Sequence, residues 1–313
     1  MTDIQTYPEH IPFLWRILAW WEGYDPLEYA RMRRPRKRRR SVIQALPAPE
    51  QHSPTEARLD LIQKIWGKGL SDPGGPDYIN ELSKQLSLSP QMSALVVGAG
   101  LGGLARKLVQ DYGVWINGYE SDPVVAEIAQ KISVDEGLAR KAIISQMNLD
   151  DSPIFERKFD RAFSKDTLYK VTHKKDLLKA VHKQLKKSSL FLLTDYVAKD
   201  QKSINHPEMV QWQINEPDDI VLCDSSSLRN LLEEVGFQVR VQEDVSTTYI
   251  KMIEQAWAQT NELVLELAED KEANRDSLNI ILKEAEIWDM RARALQSGRL
   301  RVYRYLAYKP TSF

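Results

Sequence analysis

The residues best suited to chemistry begin with a glycine-rich segment, Val96-Val97-Gly98-Ala99-Gly100-Leu101-Gly102-Gly103-Leu104-Ala105. An apolar run that enters closely spaced glycines and continues as a helical pattern predicts a strand, a tight turn and a helix, with backbone that can lie against a ligand. Glu120 follows 22 residues after Gly98, at the end of the next predicted strand, where a carboxylate can accept hydrogen bonds from ribose hydroxyls. The pattern predicts a site for an adenosine-containing cofactor, with the candidate residues Gly98, Ala99, Gly100, Gly102, Glu120 and Ser121.

The glycine segment also suits FAD or NAD, so an oxidoreductase is one interpretation of the chain. In flavoproteins such a segment usually opens the chain, whereas here about 90 residues precede it. Only the residues that follow the segment can distinguish these cofactors.

Short apolar runs alternate with helical patterns between residue 58 and about residue 245. This rhythm is typical of a parallel sheet covered by helices, and it predicts an α/β fold with a doubly wound, mostly parallel sheet of seven strands. A charged, amphipathic stretch at about 247–299 predicts a helical insertion before the last strand. The predicted strands are 94–97, 114–119, 142–147, 159–164, 189–196, 239–245 and 302–308.

The chain divides into two regions by composition. Residues 1–57 hold several tryptophans, a basic run and a proline-containing linker, and we expect them to form an extension, with the main domain at 58–313. The run from Arg31 to Arg40 has eight basic residues, so a formal net charge of −1 leaves −9 on the other 303 positions. Such a run could meet an anionic membrane surface, a polyanion such as nucleic acid, the acidic body of the protein or a partner, or only solvent.

Cysteine and histidine usage restricts the class of protein. A single cysteine, Cys223, allows no intramolecular disulfide, and the five histidines are scattered without metal-ligand spacing. We therefore expect no metal site and a reducing, cytoplasmic location, with peripheral membrane contact as an option for the basic run. The apolar stretch 11–21 is too short to span a membrane, and acids precede it where a secretory signal would have bases.

Three later segments carry a family resemblance. Residues 158–171, 190–196 and 228–237 resemble, in order, the second half of the class I S-adenosylmethionine-dependent methyltransferase fold, and the likeness extends over about 60–309. Within that superfamily the chain is similar to the phosphoethanolamine and related small-amine N-methyltransferases, through Trp66-Gly67-Lys68-Gly69-Leu70-Ser71-Asp72-Pro73-Gly74-Gly75, Ser164-Lys165-Asp166 and Thr194-Asp195-Tyr196. The resemblance implies a Rossmann-like sheet, S-adenosylmethionine as cofactor, and N-methylation of a small amine or lipid headgroup, with O-methylation as an alternative.

The resemblance also implies roles for individual residues. It adds three candidates to the cofactor site, namely Asn148, Leu149 and Ser164. Methyl transfer needs an aligned acceptor more than a reactive protein group, so Asp166 and Tyr169 are the candidates for orienting the amine or relaying its proton. The candidates for binding the acceptor are Trp66, Tyr169, Trp212 and Tyr249.

Three departures from the family pattern bear on the acceptor. Val96 stands where many relatives carry an acid near the methionine amino group, and Lys170 replaces a histidine that takes part in their catalytic hydrogen bonding. The segment 215–219, Asn-Glu-Pro-Asp-Asp, occupies the place expected for a phosphate-binding basic cluster. Acids repel phosphate, so the sequence favours a cationic or neutral acceptor. The first two departures also leave open a methyltransferase fold that has become a binding protein, and the oligomeric state is not predicted.

Overall fold

The computed structural model describes residues 56–269 and 274–311, a helix at Pro26–Met32, and the single positions Trp15, Ala19 and Tyr24. Most of the basic run and the whole linker at 45–49 lie outside the described residues. The boundary between an extension and a main domain near residue 57 therefore stays a prediction.

One seven-stranded sheet forms the centre of the molecule, as the sequence predicts. Its strand order is β3-β2-β1-β4-β5-β7-β6, and only β7 runs antiparallel to its neighbours. Each predicted strand overlaps an observed one, so the expected α/β fold is confirmed. The strands are β1 Ser93–Val97, β2 Trp115–Glu120, β3 Ala142–Gln146, β4 Phe159–Lys165, β5 Leu185–Ala198, β6 Gln238–Asp244 and β7 Leu300–Lys309.

Helices cover both faces of this sheet. The central strand β1 is buried along its whole length, and β5 is buried from Phe191 to Ala198, as expected for strands covered on both faces. Within the described ranges, no helix combines the length and apolar character needed to cross a bilayer. The helices are α1 Pro26–Met32, α2 Glu56–Trp66, α3 Pro76–Ser83, α4 Gly103–Tyr112, α5 Pro123–Asp135, α6 Lys174–Gln184, α7 Gln201–Ile204, α8 Pro207–Asn215, α9 Ser225–Glu234, α10 Ser246–Gln259, α11 Asn261–Glu269 and α12 Arg275–Gln296.

The predicted insertion before the last strand is present as α10, α11 and α12. The long helix α12 packs against α2, α8 and α10, and its inward face buries Trp288 and Arg291. Because α2 and α8 come from distant parts of the chain, this helix joins the two sides of a roof over the carboxyl ends of the strands.

The turn after β1 depends on glycine for two different reasons. Gly98, Gly100 and Gly102 have φ values of 70°, 52° and 79°, in the left-handed region that favours glycine. At Gly98 an added Cβ would also lie 2.0 Å from Thr167 Oγ1, whereas at Gly100 the nearest atom would be Ser71 Oγ at 3.9 Å. Conformation therefore restricts both positions, but close packing restricts only Gly98.

This difference gives a paired test of the turn. Gly98→Ala and Gly100→Ala share a backbone penalty of about 1–2 kcal/mol for the left-handed conformation. Gly98→Ala adds a steric clash, and we expect it to lower the free energy of unfolding by about 1–3 kcal/mol more than Gly100→Ala does. Urea unfolding of the two variants measures the difference. Equal losses would mean that Thr167 moves aside without cost.

Candidate active site

A cavity of about 430 Å³ opens at the carboxyl ends of β1, β2 and β4. This is the edge at which doubly wound sheets bind ligands. Its floor includes the glycine turn, and its roof is formed by α2, α12 and the segment 216–219. The sequence candidates that line it are Gly98, Gly100, Glu120, Ser121, Asn148, Leu149, Asp166 and Tyr169. One space thus brings together most of the cofactor candidates and both catalytic candidates.

Glu120 lies at the end of β2 and is held by backbone donors. Its Oε2 accepts a hydrogen bond from Gly100 N at 2.8 Å, and its Oε1 accepts one from Asp122 N at 3.1 Å. Burial raises the pKa of the Glu120 carboxyl above its usual value, although these hydrogen bonds favour the charged form. An ionised carboxylate has about four acceptor positions, so two remain for a ligand in the cavity.

The other cofactor candidates fall into two groups. Ser121, Asn148 and Leu149 line the cavity, and Ser121 Oγ accepts a hydrogen bond from Leu149 N at 3.3 Å. Ala99, Gly102 and Ser164 do not line it. Ser164 is buried and donates from Oγ to Val97 O at 3.1 Å, so it joins β4 to β1 behind the cavity wall. The roles of all these residues in cofactor binding stay predictions.

Asp166 has a left-handed backbone, with φ of 53°, directly after β4. Its N–H donates to Thr194 O at 2.8 Å, which fixes the turn to β5. Its carboxylate accepts hydrogen bonds from Tyr249 OH at 2.8 and 3.0 Å, from Thr194 Oγ1 at 3.2 Å and from Lys165 Nζ at 2.7 Å. Because these bonds use most of its acceptor positions, Asp166 is arranged to hold its neighbours in place.

Tyr169 lines the cavity. Burial raises the pKa of its phenol to about 12. Its backbone N–H donates to Asp195 Oδ1 at 3.2 Å, and the same oxygen accepts from Tyr196 N at 2.9 Å. The rings of Tyr169 and Tyr196 pack edge to face with centroids 5.0 Å apart. Asp195 therefore positions two aromatic walls of the cavity.

Three ion pairs join the walls of the cavity beneath α2, α12 and the segment 216–219, a part that we call the acceptor half. Arg291 pairs with Glu216, Lys170 with Asp218, and Arg58 with Glu284. The Arg291–Glu216 pair is the most buried, with side chains 7% and 1% exposed. Its guanidinium also lies over the ring of Trp288, 4.1 Å from the centroid, as in a cation–π contact.

The remaining acceptor candidates lie behind this wall and do not line the cavity. Each of them contacts a residue that does. The Trp66 ring packs on Trp288 with centroids 4.5 Å apart, Trp212 Nε1 donates to Glu216 Oε1, and Tyr249 OH donates to Asp166. Neighbouring side chains therefore stand between the cavity and Trp66, Trp212 and Tyr249, and the expected role of these three residues in binding an acceptor stays a prediction.

The charges of the cavity also revise the sequence argument about segment 215–219. Its acids Glu216 and Asp218 are paired with bases, and Lys170 lowers the pKa of Asp218. An excess of acid persists over the whole cavity, where nine carboxylic side chains and four basic ones form the lining. The acids are Asp72, Glu120, Asp122, Asp150, Asp166, Glu216, Asp218, Asp219 and Glu284, and the bases are Arg58, Lys165, Lys170 and Arg291.

Sequence reasoning missed three functional candidates. Asp72 and Lys165 line the cavity together, and Arg291 supplies a fully enclosed cation. Lys165 could have been noticed as a base beside Asp166, whereas Arg291 stands in a charged helix in which nothing distinguishes it from solvent-facing arginines. Within the described ranges, no three side chains of metal-ligating type come together.

Comparison with known proteins supplies a family. A family model described as a methyltransferase domain matches residues 71–242. The chain is 23% identical over 192 residues to phosphoethanolamine N-methyltransferase 1 of Zea mays, which covers 61% of this chain and 37% of that protein. It is 24% identical over 202 residues to the glycine/sarcosine/dimethylglycine N-methyltransferase of Actinopolyspora halophila, covering 63% of this chain and 35% of that protein.

A solved structure supports the same fold. The structure of phosphoethanolamine N-methyltransferase 2 of Haemonchus contortus, in complex with S-adenosyl-L-methionine, superposes with a TM-score of 0.68 at 17% identity. The match covers 81% of this chain and 57% of that one. The chain thus spans well under two thirds of the length of these relatives, and at this identity the likeness establishes the fold.

The buried ion pair of the roof generates a stability test. Glu216→Gln leaves the Arg291 guanidinium buried without its counter-charge, and we expect a loss of about 3–5 kcal/mol in the free energy of unfolding. Glu233→Gln is the control, because Glu233 forms an exposed pair with Arg229 that is worth about 0.3–0.5 kcal/mol. Denaturant unfolding compares the variants, and similar small losses in both would show that water reaches Arg291.

Proposed function

The chain belongs to the methyltransferase domain family, and on that premise we propose that it transfers the methyl group of S-adenosylmethionine to the nitrogen of a small amine. One observation carries the proposal. The cavity runs without a break from the glycine turn and Glu120 to Asp166 and the aromatic side chain of Tyr169. A nucleoside site and an acceptor site in one space suit direct transfer between two bound molecules.

The cofactor half of the cavity fits an adenosine group. Gly100 exposes backbone beside open space, and Glu120 keeps two acceptor positions for the ribose diol. Asn148 and Leu149 follow β3 and would lie along the base. In the transfer, the amine nitrogen would form a bond to the methyl carbon while the carbon–sulfur bond breaks and the neutral thioether leaves as S-adenosylhomocysteine. The cavity's excess of acid favours the positive charge of the sulfonium.

Tyr169 and Asp166 have different roles in this proposal. A phenol with a pKa of about 12 stays neutral at physiological pH, so Tyr169 can accept a hydrogen bond from the amine and orient its lone pair, but it does not remove a proton as a phenolate. Asp166 secures Lys165 and Tyr249 and positions the turn before Tyr169. The amine would lose its proton to water at the open side of the cavity, near the exposed Asp219. An acceptor that enters as an ammonium would do so before the transfer, because only the deprotonated nitrogen has a lone pair.

The acceptor is a cationic or neutral amine in this proposal. The maize and nematode relatives are named for phosphoethanolamine, and the Actinopolyspora relative for glycine and its methylated forms. In this chain Arg58, Lys170 and Arg291, the bases that line the cavity outside the Lys165 cluster, are already paired with Glu284, Asp218 and Glu216. A phosphate would have to open one of these pairs, whereas an amine without phosphate would not.

The basic run from Arg31 to Arg40 would serve as a contact with an anionic surface, so that a lipid headgroup is one form of acceptor. Eight bases in ten residues support this proposal by charge alone, at about 1 kcal/mol of attraction per base near an anionic membrane.

Glu120 provides the test of the cofactor site. We expect Glu120→Ala to weaken S-adenosylmethionine binding by about 1.5–3 kcal/mol, the range for hydrogen bonds to a charged group. Because burial raises the pKa of Glu120, affinity in the wild type should fall as pH is lowered, beginning at a higher pH than for an ordinary glutamate. Glu120→Gln should lose this pH dependence. Calorimetry checks both effects, and unchanged affinity in the Ala variant would contradict the assignment.

A matched pair of amines tests the acceptor class. Ethanolamine and phosphoethanolamine differ only in the phosphate, and we expect kcat/KM to be higher for ethanolamine because the phosphate meets an acid-rich cavity with paired bases. Transfer of a labelled methyl group, followed by mass spectrometry, gives the ratio. Preference for phosphoethanolamine would show that Arg58, Lys170 or Arg291 exchanges its carboxylate for the phosphate. Binding of the cofactor without transfer to any amine in a cell extract would favour a binding protein.

A further inference from the structure

The amino-acid end of S-adenosylmethionine carries an ammonium and a carboxylate, and both charges need partners inside a cavity. If Glu120 and Asn148 receive the nucleoside, this end lies on the other side of the glycine turn. The first strand offers only the buried, apolar Val96 there. Its charge partners must therefore come from another segment of the chain.

A small second cavity of about 30 Å³ marks that place. It is lined by Val96 together with Ser71, Asp72, Gly100 and Lys165. All of these except Val96 also line the main cavity, so the two spaces adjoin. Asp72 and Lys165 are the charged side chains that line the small cavity among the described residues.

Lys165 has the capacity for one more partner. Its Nζ donates to Asp166 Oδ2 at 2.7 Å and to Asp72 Oδ1, and an ammonium has three N–H groups. Its side chain is only 8% exposed, and Asp166 with Asp72 holds its pKa above the usual value despite burial. The third N–H can donate to a carboxylate in the small cavity.

Asp72 is more exposed than Lys165, its partner in the ion pair. Its side chain is 34% exposed, and its Oδ2 accepts a hydrogen bond from Ser71 Oγ at 3.3 Å. The segment that carries it approaches Lys165 closely, since a Cβ on Gly74 would lie 2.6 Å from Lys165 Cε. The backbone thus holds Asp72 against Lys165 while leaving part of its carboxylate open to the cavity.

We propose that Asp72 and Lys165 form the binding site for the amino-acid end of the cofactor, with Asp72 accepting from its ammonium and Lys165 donating to its carboxylate. Asp72 then supplies the acid that β1 lacks at Val96. This inference rests on the proposed function. Asp72, Lys165 and Asp166 together carry one negative charge, which complements a ligand whose ammonium, carboxylate and sulfonium sum to one positive charge.

Two ligands separate this role from a structural one. S-adenosylhomocysteine has the amino-acid end, and 5′-methylthioadenosine has the same nucleoside and sulfur without it. We expect the wild-type protein to bind S-adenosylhomocysteine at least tenfold more tightly. Asp72→Asn should reduce that ratio by tenfold or more while changing the affinity for 5′-methylthioadenosine less than twofold, as measured by calorimetry. Asp176→Asn, at an exposed pair with Lys179, is the control and should leave the ratio unchanged.

The other outcomes are equally informative. If Asp72→Asn weakens both ligands alike, or neither, Asp72 only ties its segment to Lys165 and the inference is overturned. Equal wild-type affinities for the two ligands overturn it as well, while the proposed function stands. If the wild type binds neither ligand, the proposed function fails together with the inference. Should Asp72→Asn be unstable, Asp72→Ser, which also removes the charge but keeps a hydrogen-bonding side chain, takes its place. It should reduce the ratio by tenfold or more, and an unchanged ratio would overturn the inference.

Discussion

The buried ammonium of Lys165 is the interaction on which the site depends. A charge that is 92% enclosed needs carboxylates close by, because removing it from water is costly. Asp166 meets this need only by adopting a left-handed backbone after β4, which its bond to Thr194 on β5 secures. Tyr249 from the helical insertion and Asp72 from the segment after α2 complete the arrangement. One paired charge therefore joins four separate parts of the chain at the edge of the sheet.

The roof of the cavity also depends on a buried charge that is paired with a carboxylate. Arg291 on α12 is enclosed between the ring of Trp288 and the carboxylate of Glu216, and Trp212 donates to that carboxylate from behind. Such a pair gives little net stability compared with apolar packing, but breaking it is expensive because one charge is left without a partner. The insertion is thus held in one position over the cavity, and the shape of the acceptor half is set by electrostatics as well as by packing.

The sequence predicted the sheet well, but it did not distinguish the side chains that line the cavity from those that lie behind them, for a physical reason. Each strand is a short apolar run bounded by polar or glycine residues, so local pattern was sufficient, and the glycine turn required conformations that few other residues adopt. Whether an aromatic side chain faces a cavity or supports the residue that does is decided by tertiary packing. Trp66 and Trp288 illustrate this, since they stack on one another and only Trp288 reaches the cavity. Likewise Glu216 looked like an isolated acid because its partner Arg291 is 75 residues away.

Under the proposed function, these paired charges also bear on which acceptor the cavity can bind. A cation entering the cavity finds Tyr169, Tyr196 and a surplus of carboxylates, and it can bind while every existing ion pair stays closed. An anion has to compete with Glu284 for Arg58, with Asp218 for Lys170 or with Glu216 for Arg291, and in the last case it must displace a side chain that is only 1% exposed. Breaking such a buried pair costs about 3–5 kcal/mol unless the entering group restores equivalent bonds. Specificity can therefore arise from the cost of breaking a buried ion pair as much as from attraction to the preferred acceptor.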